Sequence, residues 1–352
     1  MASAEDIASV LADAIGKNDE SASVTSFLDT GFPPLNYAAA ADWDKGLPVG
    51  RIVEIAGPAS SGKTAIATAV MAAAQKAGGI AGYMDHERSF SLDLAPKLGL
   101  DTSPGKFIFK KPRTFEQSLS MCVTAATVIR KKKLIAKTAP ICWVFDSLAS
   151  MVPQSALLDA KTGLDRSFED RNMNDNTALA RATSAHLPAL TQHAEELGIC
   201  IIFLNQMRMK IGVLFGDPRK TTGGQAPEFF FSQRLWLSAS QIKKGTDVIG
   251  MEVTGKFMKN KVARPFQEAS WRFMFQPDGT GRFDAERSLI DFLEEVGGLT
   301  KGKPGSVVWE GKQIHKDTLA RQIEAEVGGF AKLKALLPAK YEAPIVAEIE
   351  AE

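Results

Sequence analysis

A glycine-rich loop between an apolar strand and a helix constrains the fold of this chain more than any other segment. The run Arg51–Ala56 predicts a strand, and Thr64–Ala77 predicts a helix. Between them the pattern G-x-x-x-x-G-K-[ST] comprises Gly57, Pro58, Ala59, Ser60, Ser61, Gly62, Lys63 and Thr64. Such a loop points its backbone N–H groups at phosphate oxygens, and the helix adds the positive end of its dipole. It predicts an ATP site, with Lys63 on the phosphates and Thr64 on Mg²⁺.

Further apolar runs, separated by helical segments, follow along the chain. They predict strands over Ile80–Met84, Phe107–Lys110, Pro140–Asp146 and Ile199–Asn205. Helices are predicted over Phe115–Lys131 and Thr177–Gly198, the second interrupted at Pro188 because proline lacks a backbone N–H. This alternation is typical of a parallel sheet wrapped by helices.

Later in the chain, strand-like runs occur with few helices between them, which predicts an antiparallel extension of the sheet. These runs are Gln233–Ser240, Gly250–Lys259 and Ala269–Phe275. After a turn-rich break, a smaller segment is predicted to contain helices over Ala285–Val296, Lys316–Val327 and Gly329–Leu337. At the other end, Ala4–Ile15 predicts an amphipathic helix on a polar linker, packed either on its own core or on another copy.

Composition narrows the classes of protein that the chain can belong to. The 352 residues suffice for one large domain with smaller appendages, and the net charge of +1 means that any DNA site must be a local basic patch. The three cysteines, Cys122, Cys142 and Cys200, lack metal-ligand spacing and fit a reducing compartment. No secretion signal or membrane-spanning run is apparent, so we expect a cytoplasmic protein.

Three polar residues near the ends of predicted strands are candidates for the chemistry of the site. Asp146 ends an apolar strand, where it could hold Mg²⁺ or serve as a turn residue. Glu87 follows the strand Ile80–Met84, where it could activate a water molecule or be a solvated loop acid. Gln206 follows Ile199–Asn205, where it could touch the γ-phosphate or simply end the strand.

The segment Met207–Gly224 is basic, glycine-rich and partly apolar. Its charged residues are Arg208, Lys210, Asp217, Arg219 and Lys220. Basic side chains on the DNA backbone, with apolar groups between bases, would suit single-stranded DNA. The alternative is a surface loop without a ligand.

Four motifs in the same order along the chain closely resemble the RecA recombinases. They are Gly50–Thr64, Lys97–Leu100, Asn205–Gly224 and Lys259–Phe266. The resemblance implies a RecA-like core with an N-terminal oligomerisation helix and a small C-terminal α/β domain. It also implies ATP-bound helical filaments on single-stranded DNA that exchange strands with a homologous duplex, with single-strand-binding or loader proteins as further candidate partners.

The resemblance also implies roles for individual residues. Glu87 matches the catalytic glutamate, and Gln206 matches the residue that couples the γ-phosphate to the DNA loop. Lys259 and Lys261 match the pair that reaches the γ-phosphate of a neighbouring protomer, in the manner of arginine fingers supplied in trans. Phe229 matches an aromatic residue of the subunit interface. The predicted DNA contacts are Arg208, Lys210, Ile211, Gly212, Thr222, Gly223 and Gly224, with Arg171 from the first DNA loop.

Several positions depart from the pattern of the family. Leu94 stands where the family usually has an adenine-stacking tyrosine, and we expect it to make an apolar contact with the adenine ring instead. Glu228 stands where bacterial members carry a lysine. The first DNA loop, expected over residues 157–176, is longer than in those members. These departures fit a bacteriophage-encoded or otherwise remote member.

The sequence therefore predicts a chain of three domains with one principal function. Residues 1–32 form the oligomerisation helix and linker, residues 33–281 the ATPase core with its DNA loops, and residues 282–352 the C-terminal domain. The predicted function is DNA-stimulated ATP hydrolysis that drives strand exchange. The alternatives are a ring helicase with the same core and a nucleotide-binding recombination mediator with little turnover.

Overall fold

The computed structural model describes residues 23–167, 169, 175–209 and 219–341. The predicted helix Ala4–Ile15 lies outside these ranges, as do four predicted DNA contacts, Arg171, Lys210, Ile211 and Gly212.

Within the described ranges the strands form a ten-stranded mixed sheet, a two-stranded sheet and a three-stranded sheet. In chain order they are β1 (Phe27–Leu28), β2 (Leu47–Pro48), β3 (Ile52–Gly57), β4 (Ile80–Asp85), β5 (Phe107–Lys110), β6 (Ile141–Asp146), β7 (Ile199–Met209), β8 (Arg219–Thr221), β9 (Gln233–Lys244), β10 (Asp247–Asn260), β11 (Glu268–Phe275), β12 (Gly281–Phe283), β13 (Thr300–Lys301), β14 (Ser306–Trp309) and β15 (Lys312–His315).

The large sheet has a parallel half and an antiparallel half. Its order is β12-β11-β10-β9-β3-β7-β6-β4-β5, and β8 pairs with the end of β7. Pairing is parallel from β9 through β3, β7, β6 and β4 to β5, whereas β10, β11 and β12 continue beyond β9 as antiparallel neighbours. Both the parallel sheet and its antiparallel extension are thus confirmed.

Helices cover the two faces of this sheet. They are α1 (Pro33–Ala40), α2 (Lys63–Lys76), α3 (Phe115–Lys131), α4 (Gln154–Leu157), α5 (Asp175–Leu197), α6 (Ala226–Phe230), α7 (Ala285–Glu295), α8 (Lys316–Ala325) and α9 (Gly329–Lys334). One hydrophobic cluster joins α2 to one face through residues such as Val53 and Ile202. A second cluster joins α3 and α5 to the opposite face through residues such as Ile52 and Phe203. The central strands are therefore buried on both sides, which explains their continuous apolar sequence.

Two sequence expectations need correction. Helix α5 runs without interruption from Asp175 to Leu197 and includes Pro188, so the predicted break is wrong. The carbonyl of Ser184, which proline cannot bond, belongs to an exposed residue, so the missing bond exposes no buried backbone group. Strand β7 continues past Asn205 to Met209 because β8 supplies hydrogen-bond partners. Gln206 consequently lies inside a strand and not after one.

The C-terminal segment packs directly on the large sheet. Leu289 and Leu293 of α7 and Val307 of β14 belong to the same hydrophobic cluster as α2. The indole Nε1 of Trp43 donates a hydrogen bond of 2.9 Å to the carbonyl of Pro338. A small antiparallel sheet, β13-β14-β15, accompanies the helices here, in agreement with the predicted α/β character. Among the described residues, no helix combines the length and apolar character needed to cross a bilayer.

Candidate functional site

The phosphate loop joins the carboxyl end of β3 to the first turn of α2. Gly62 stands at the N-terminal cap of α2 with a φ of 82°, which only glycine adopts easily. Lys63 Nζ lies over the loop and donates hydrogen bonds to the carbonyl oxygens of Gly57 at 3.1 Å and Pro58 at 2.7 Å. Burial lowers the pKa of Lys63, while Asp146 and Glu87 act in the opposite direction. The loop therefore presents a cation and the N-terminal end of a 14-residue helix at one edge of the sheet.

A group of acidic residues lies at the same edge of the sheet, on the strands β6 and β4 beyond β7. Asp85 ends β4 and Asp146 ends β6, and the two residues pair in the parallel register. The Tyr83 hydroxyl donates a short hydrogen bond to Asp146 Oδ2. Burial, assisted by Glu87 and Asp85, raises the pKa of Asp146 to about 6, although Tyr83 and Lys63 oppose the shift. The concentrated negative charge indicates a place for a cation.

The residues at this edge fit a Mg²⁺ ion held together with a triphosphate. Asp85 Oδ2 is buried and finds no hydrogen-bond partner within the described part of the chain. Tyr83, whose hydroxyl donates to Asp146, has its pKa raised mainly by burial, and the nearby Thr64 side chain acts against this shift. No group of three or more His, Cys, Asp or Glu side chains suited to a metal occurs in the described ranges. The oxygen donors present, on Asp85, Asp146 and Thr64, suit Mg²⁺, which keeps waters and phosphate oxygens as ligands alongside one or two protein groups.

Glu87 and Gln206 are in direct contact at the same edge. Gln206 Nε2 donates a hydrogen bond of 2.9 Å to Glu87 Oε1, although the two residues are far apart in the chain. The same oxygen accepts a bond of 2.5 Å from Ser147 Oγ, and the backbone N–H of Glu87 bonds to the carbonyl of Asp146 at 3.1 Å. Strand order explains the meeting, because β4, β6 and β7 are consecutive neighbours. The carboxylate is exposed and fixed in position, as a group that handles a water molecule must be.

The two ends of the predicted DNA loop form a short antiparallel ladder. Arg208 of β7 pairs with Lys220 of β8, and Met207 pairs with Thr221. Within Met207–Gly224, the segments Met207–Met209 and Arg219–Thr221 are therefore regular strands. Its first strand is continuous with Gln206, so any movement of the Gln206 backbone is passed along the same strand.

The glycine pair that follows β8 is closely packed. Gly223 has a φ of 111°, and a Cβ there would approach Leu148 to 2.9 Å. A Cβ on Gly224 would approach the Cβ of Ala180 on α5 to 2.7 Å. The carbonyl of Gly223 accepts a buried hydrogen bond of 2.7 Å from Thr183 Oγ1. These glycines anchor the loop against the core, so their sequence signal reflects packing as well as any contact with DNA.

A buried polar network beside the ladder went unnoticed in the sequence. Glu54, in the middle of β3, is completely buried and accepts a hydrogen bond of 2.7 Å from Arg234 Nε on β9. Its other oxygen accepts a bond of 2.8 Å from Asn205 Nδ2 on β7. The available signal was a single acid in an otherwise apolar strand, which demands a buried partner.

Lys259 and Lys261 lie on the other flank of β3, at the end of β10. Lys259 Nζ donates hydrogen bonds to the carbonyl oxygens of Glu228 at 2.5 Å and Phe229 at 2.9 Å, both in α6. Burial, together with the nearby charge of Lys261, lowers the pKa of Lys259 to about 8. Phe229 is 65% exposed. Neither lysine makes a described contact with the phosphate loop of its own chain, as expected if the pair acts on another copy.

Leu94 stands apart from these contacts at the start of a short 3₁₀ turn. Its side chain is 42% exposed, and neighbouring Leu92 is 44% exposed. The structure thus provides an apolar surface at this position, while the proposed contact with an adenine ring stays a prediction. Glu228 lies 3.9 Å from Arg234 through its carboxylate, which partly balances the reversed charge noted in the sequence.

Comparison with known proteins identifies the family to which the chain is similar. The model of the RecA N-terminal domain matches residues 13–280. A protein named RecA 2 from Myxococcus xanthus is 37% identical over 294 residues, which is 80% of this chain and 75% of the relative. A protein named RecA from Chloroherpeton thalassium is 37% identical over 315 residues, covering 88% and 79%. A RecA protein from Geobacter sulfurreducens is 36% identical over 284 residues, covering 80% and 76%. This chain therefore belongs to the RecA family of ATP-dependent recombinases.

Proposed function

We propose that the chain assembles with ATP into helical filaments on single-stranded DNA, hydrolyses ATP there and exchanges strands with a homologous duplex. The observation that carries this proposal is the hydrogen bond of 2.9 Å between Gln206 Nε2 and Glu87 Oε1. It joins a candidate catalytic carboxylate to the strand that leads into a basic loop. A ligand at either end therefore has a short physical route to the other.

The residues of the phosphate edge have distinct roles in this proposal. The loop N–H groups and Lys63 hold the phosphates, and Asp146 with Thr64 would hold Mg²⁺, which offsets charge on the phosphate oxygens when it is bound. Glu87 orients the attacking water and accepts its proton. Ser147 keeps the carboxylate in place through its bond of 2.5 Å. Gln206 shares this carboxylate and so senses the state of the site.

Two further groups complete the proposed filament. Arg208, Thr222, Gly223 and Gly224 take part in holding the DNA, along with the predicted contacts outside the described residues. Lys259 and Lys261 cross to the phosphate site of the next protomer, where their charge stabilises the transition state. Residues 1–32 would pack protomers together, residues 33–281 would form the ATPase core and residues 282–352 a C-terminal domain.

One experiment separates this function from its alternatives. Electron microscopy with single-stranded DNA and a non-hydrolysable ATP analogue should reveal helical filaments, and DNA should stimulate ATP hydrolysis in a salt-sensitive manner. Closed hexamers that unwind duplex DNA would instead indicate a helicase. Filaments without DNA-stimulated turnover would indicate a mediator.

A further inference from the structure

Burying the carboxylate of Glu54 in the middle of β3 costs free energy, because a charged group loses its hydration there. Glu54 has no exposed surface, and its strand neighbours Val53 and Ile55 are apolar residues of the core. Arg234, its partner across the β3–β9 pair, is only 8% exposed. A buried ion pair of this kind is often no more stabilising than apolar side chains of similar volume. Stability alone therefore does not account for the pair.

The pair is bonded to both ends of the predicted DNA loop. Toward the start of the loop, Glu54 Oε1 accepts from Asn205 Nδ2, and Asn205 Oδ1 accepts a bond of 2.9 Å from the backbone N–H of Gln206. Toward the end, Arg234 Nη2 donates a bond of 2.8 Å to Thr221 Oγ1. Asn205 Nδ2 also donates to the carbonyl of Thr222 at 2.8 Å. The network thus clamps the base of the ladder from two strands.

The same strand leads directly into the phosphate loop. Glu54 lies three positions before Gly57, in a strand that pairs with β7 on one side and β9 on the other. Two oxygens of one carboxylate hold one residue from each neighbouring strand, so the lateral positions of Asn205 and Arg234 are fixed relative to β3. A carboxylate fixes these positions through directional, charge-assisted hydrogen bonds. An apolar side chain would hold the neighbouring strands only through packing.

We propose that Glu54, Arg234 and Asn205 are positioning residues that tie the DNA loop to the phosphate-loop strand, so that DNA and nucleotide influence each other. The proposal rests on the proposed function and adds a second connection between the two sites beside Glu87 and Gln206. Among the described residues, no hydrogen bond or ion pair joins any of the three side chains to the phosphate loop, so we expect nucleotide binding itself not to depend on them.

The test replaces the ion pair without leaving a buried charge. The full-length double variant Glu54→Met with Arg234→Met keeps the volume and should fold. We expect its stimulation of ATP hydrolysis by single-stranded DNA to fall roughly tenfold, the size of a typical coupling between sites. Affinity for a fluorescent ATP analogue without DNA should change less than about threefold, because the phosphate loop is untouched. Asn205→Ala gives a second, independent measurement with the same expected loss.

A matched control removes a buried polar network elsewhere in the chain. Asn36 is 1% exposed and bonds to Thr30 and Asp29, away from the DNA loop. The Asn36→Ala variant should lose stability but keep its stimulation by DNA. If the Glu54 network served stability alone, the network variants and Asn36→Ala would lose stimulation by DNA to the same extent whenever their thermal stabilities were equal. This result would overturn the inference. So would full stimulation in both Glu54→Met/Arg234→Met and Asn205→Ala. Absence of stimulation in the unmodified chain would instead contradict the proposed function, and this inference with it.

Discussion

The two flanks of β3 hold opposite halves of the proposed chemistry, and they differ in how complete they are. On the β7 flank, Asp146, Glu87 and Gln206 already face the phosphate loop, and Gln206 contacts Glu87 at 2.9 Å. On the β10 flank, Lys259 is bonded to carbonyl groups of its own α6. The first half is built within one chain, whereas the second half is held away from any phosphate of that chain.

This difference explains how hydrolysis can be made to depend on assembly. A lysine hydrogen-bonded to its own backbone has to exchange those bonds for a phosphate oxygen, which becomes available only when a second copy docks. Its pKa is lowered mainly by burial, so its ammonium is poorly solvated and a phosphate partner would stabilise the charge. Under the proposed function, this separation would keep a lone protomer inactive.

The largest expected effect comes from removing the lysine half. Lys259→Ala together with Lys261→Ala should lower DNA-stimulated turnover by about 10³-fold, the scale of a missing arginine finger. ATP binding to the isolated protomer should be unchanged. Steady-state hydrolysis and nucleotide titration measure the two quantities. The control is Lys243→Ala with Lys244→Ala, exposed lysines at the tip of the same hairpin. Equal losses in both double variants would mean that only general charge matters.

Removing the proposed catalytic carboxylate of Glu87 should have the next largest effect. Glu87→Gln keeps the size of the side chain and an acceptor for Ser147, so binding of ATP should persist. Turnover should fall by about 10²-fold because the general base is lost. The half-buried residue Glu116, on α3, provides the control Glu116→Gln, which keeps an acceptor for the backbone N–H of Gln154 and should retain full activity. Unchanged turnover in Glu87→Gln would show that the assignment is wrong.

Raising the pH should have a smaller effect, on ATP-dependent assembly. The protonated form of Lys259 pairs with phosphate, and its pKa is about 8, so the paired form is lost as pH rises through that value. ATP-dependent assembly, followed by light scattering, should weaken up to about tenfold between pH 7 and pH 9. Lys259→Arg should assemble almost equally at both values because its guanidinium stays charged. The same decline in this variant would assign the pH dependence to another group.

The smallest expected effect concerns the base of the nucleotide. Leu94→Tyr should tighten ATP binding about two- to tenfold, since an aromatic pair contributes on the order of 1 kcal/mol. Leu92→Tyr is the control, because Leu92 is equally exposed two residues earlier. Isothermal titration with ATP and with GTP measures both affinity and base preference. Tightening in both variants alike would separate Leu94 from the adenine site.

Local patterns were sufficient to predict the phosphate edge. A strand, a glycine loop and a helix are contiguous in sequence, and buried parallel strands are recognisable as continuous apolar runs. The placement of Asp146 and Glu87 followed from one rule, that carboxyl ends of parallel strands share an edge. The resemblance to the RecA family supplied the coupling role of Gln206 and the lysine pair.

Features that depend on long-range pairing escaped prediction. The extension of β7 to Met209 requires β8, whose partners lie across the basic loop. The Glu54–Arg234 contact joins residues 180 positions apart, so no local window contains it. Pro188 was predicted to break α5, yet the surrounding helix is held by its packing on the sheet. Tertiary contacts thus decided these three features, which no local pattern determined.

The most direct test of a site shared between protomers is to mix two inactive variants. One carries Glu87→Gln with its lysines intact, and the other carries Lys259→Ala and Lys261→Ala with Glu87 intact. In a mixed filament at equal amounts, about a quarter of the interfaces join an intact Glu87 to intact lysines, because head-to-tail contacts take one half from each copy. We therefore predict that DNA-stimulated hydrolysis recovers to about a quarter of the unmodified rate. A mixture no more active than the sum of its separate components would contradict the shared site.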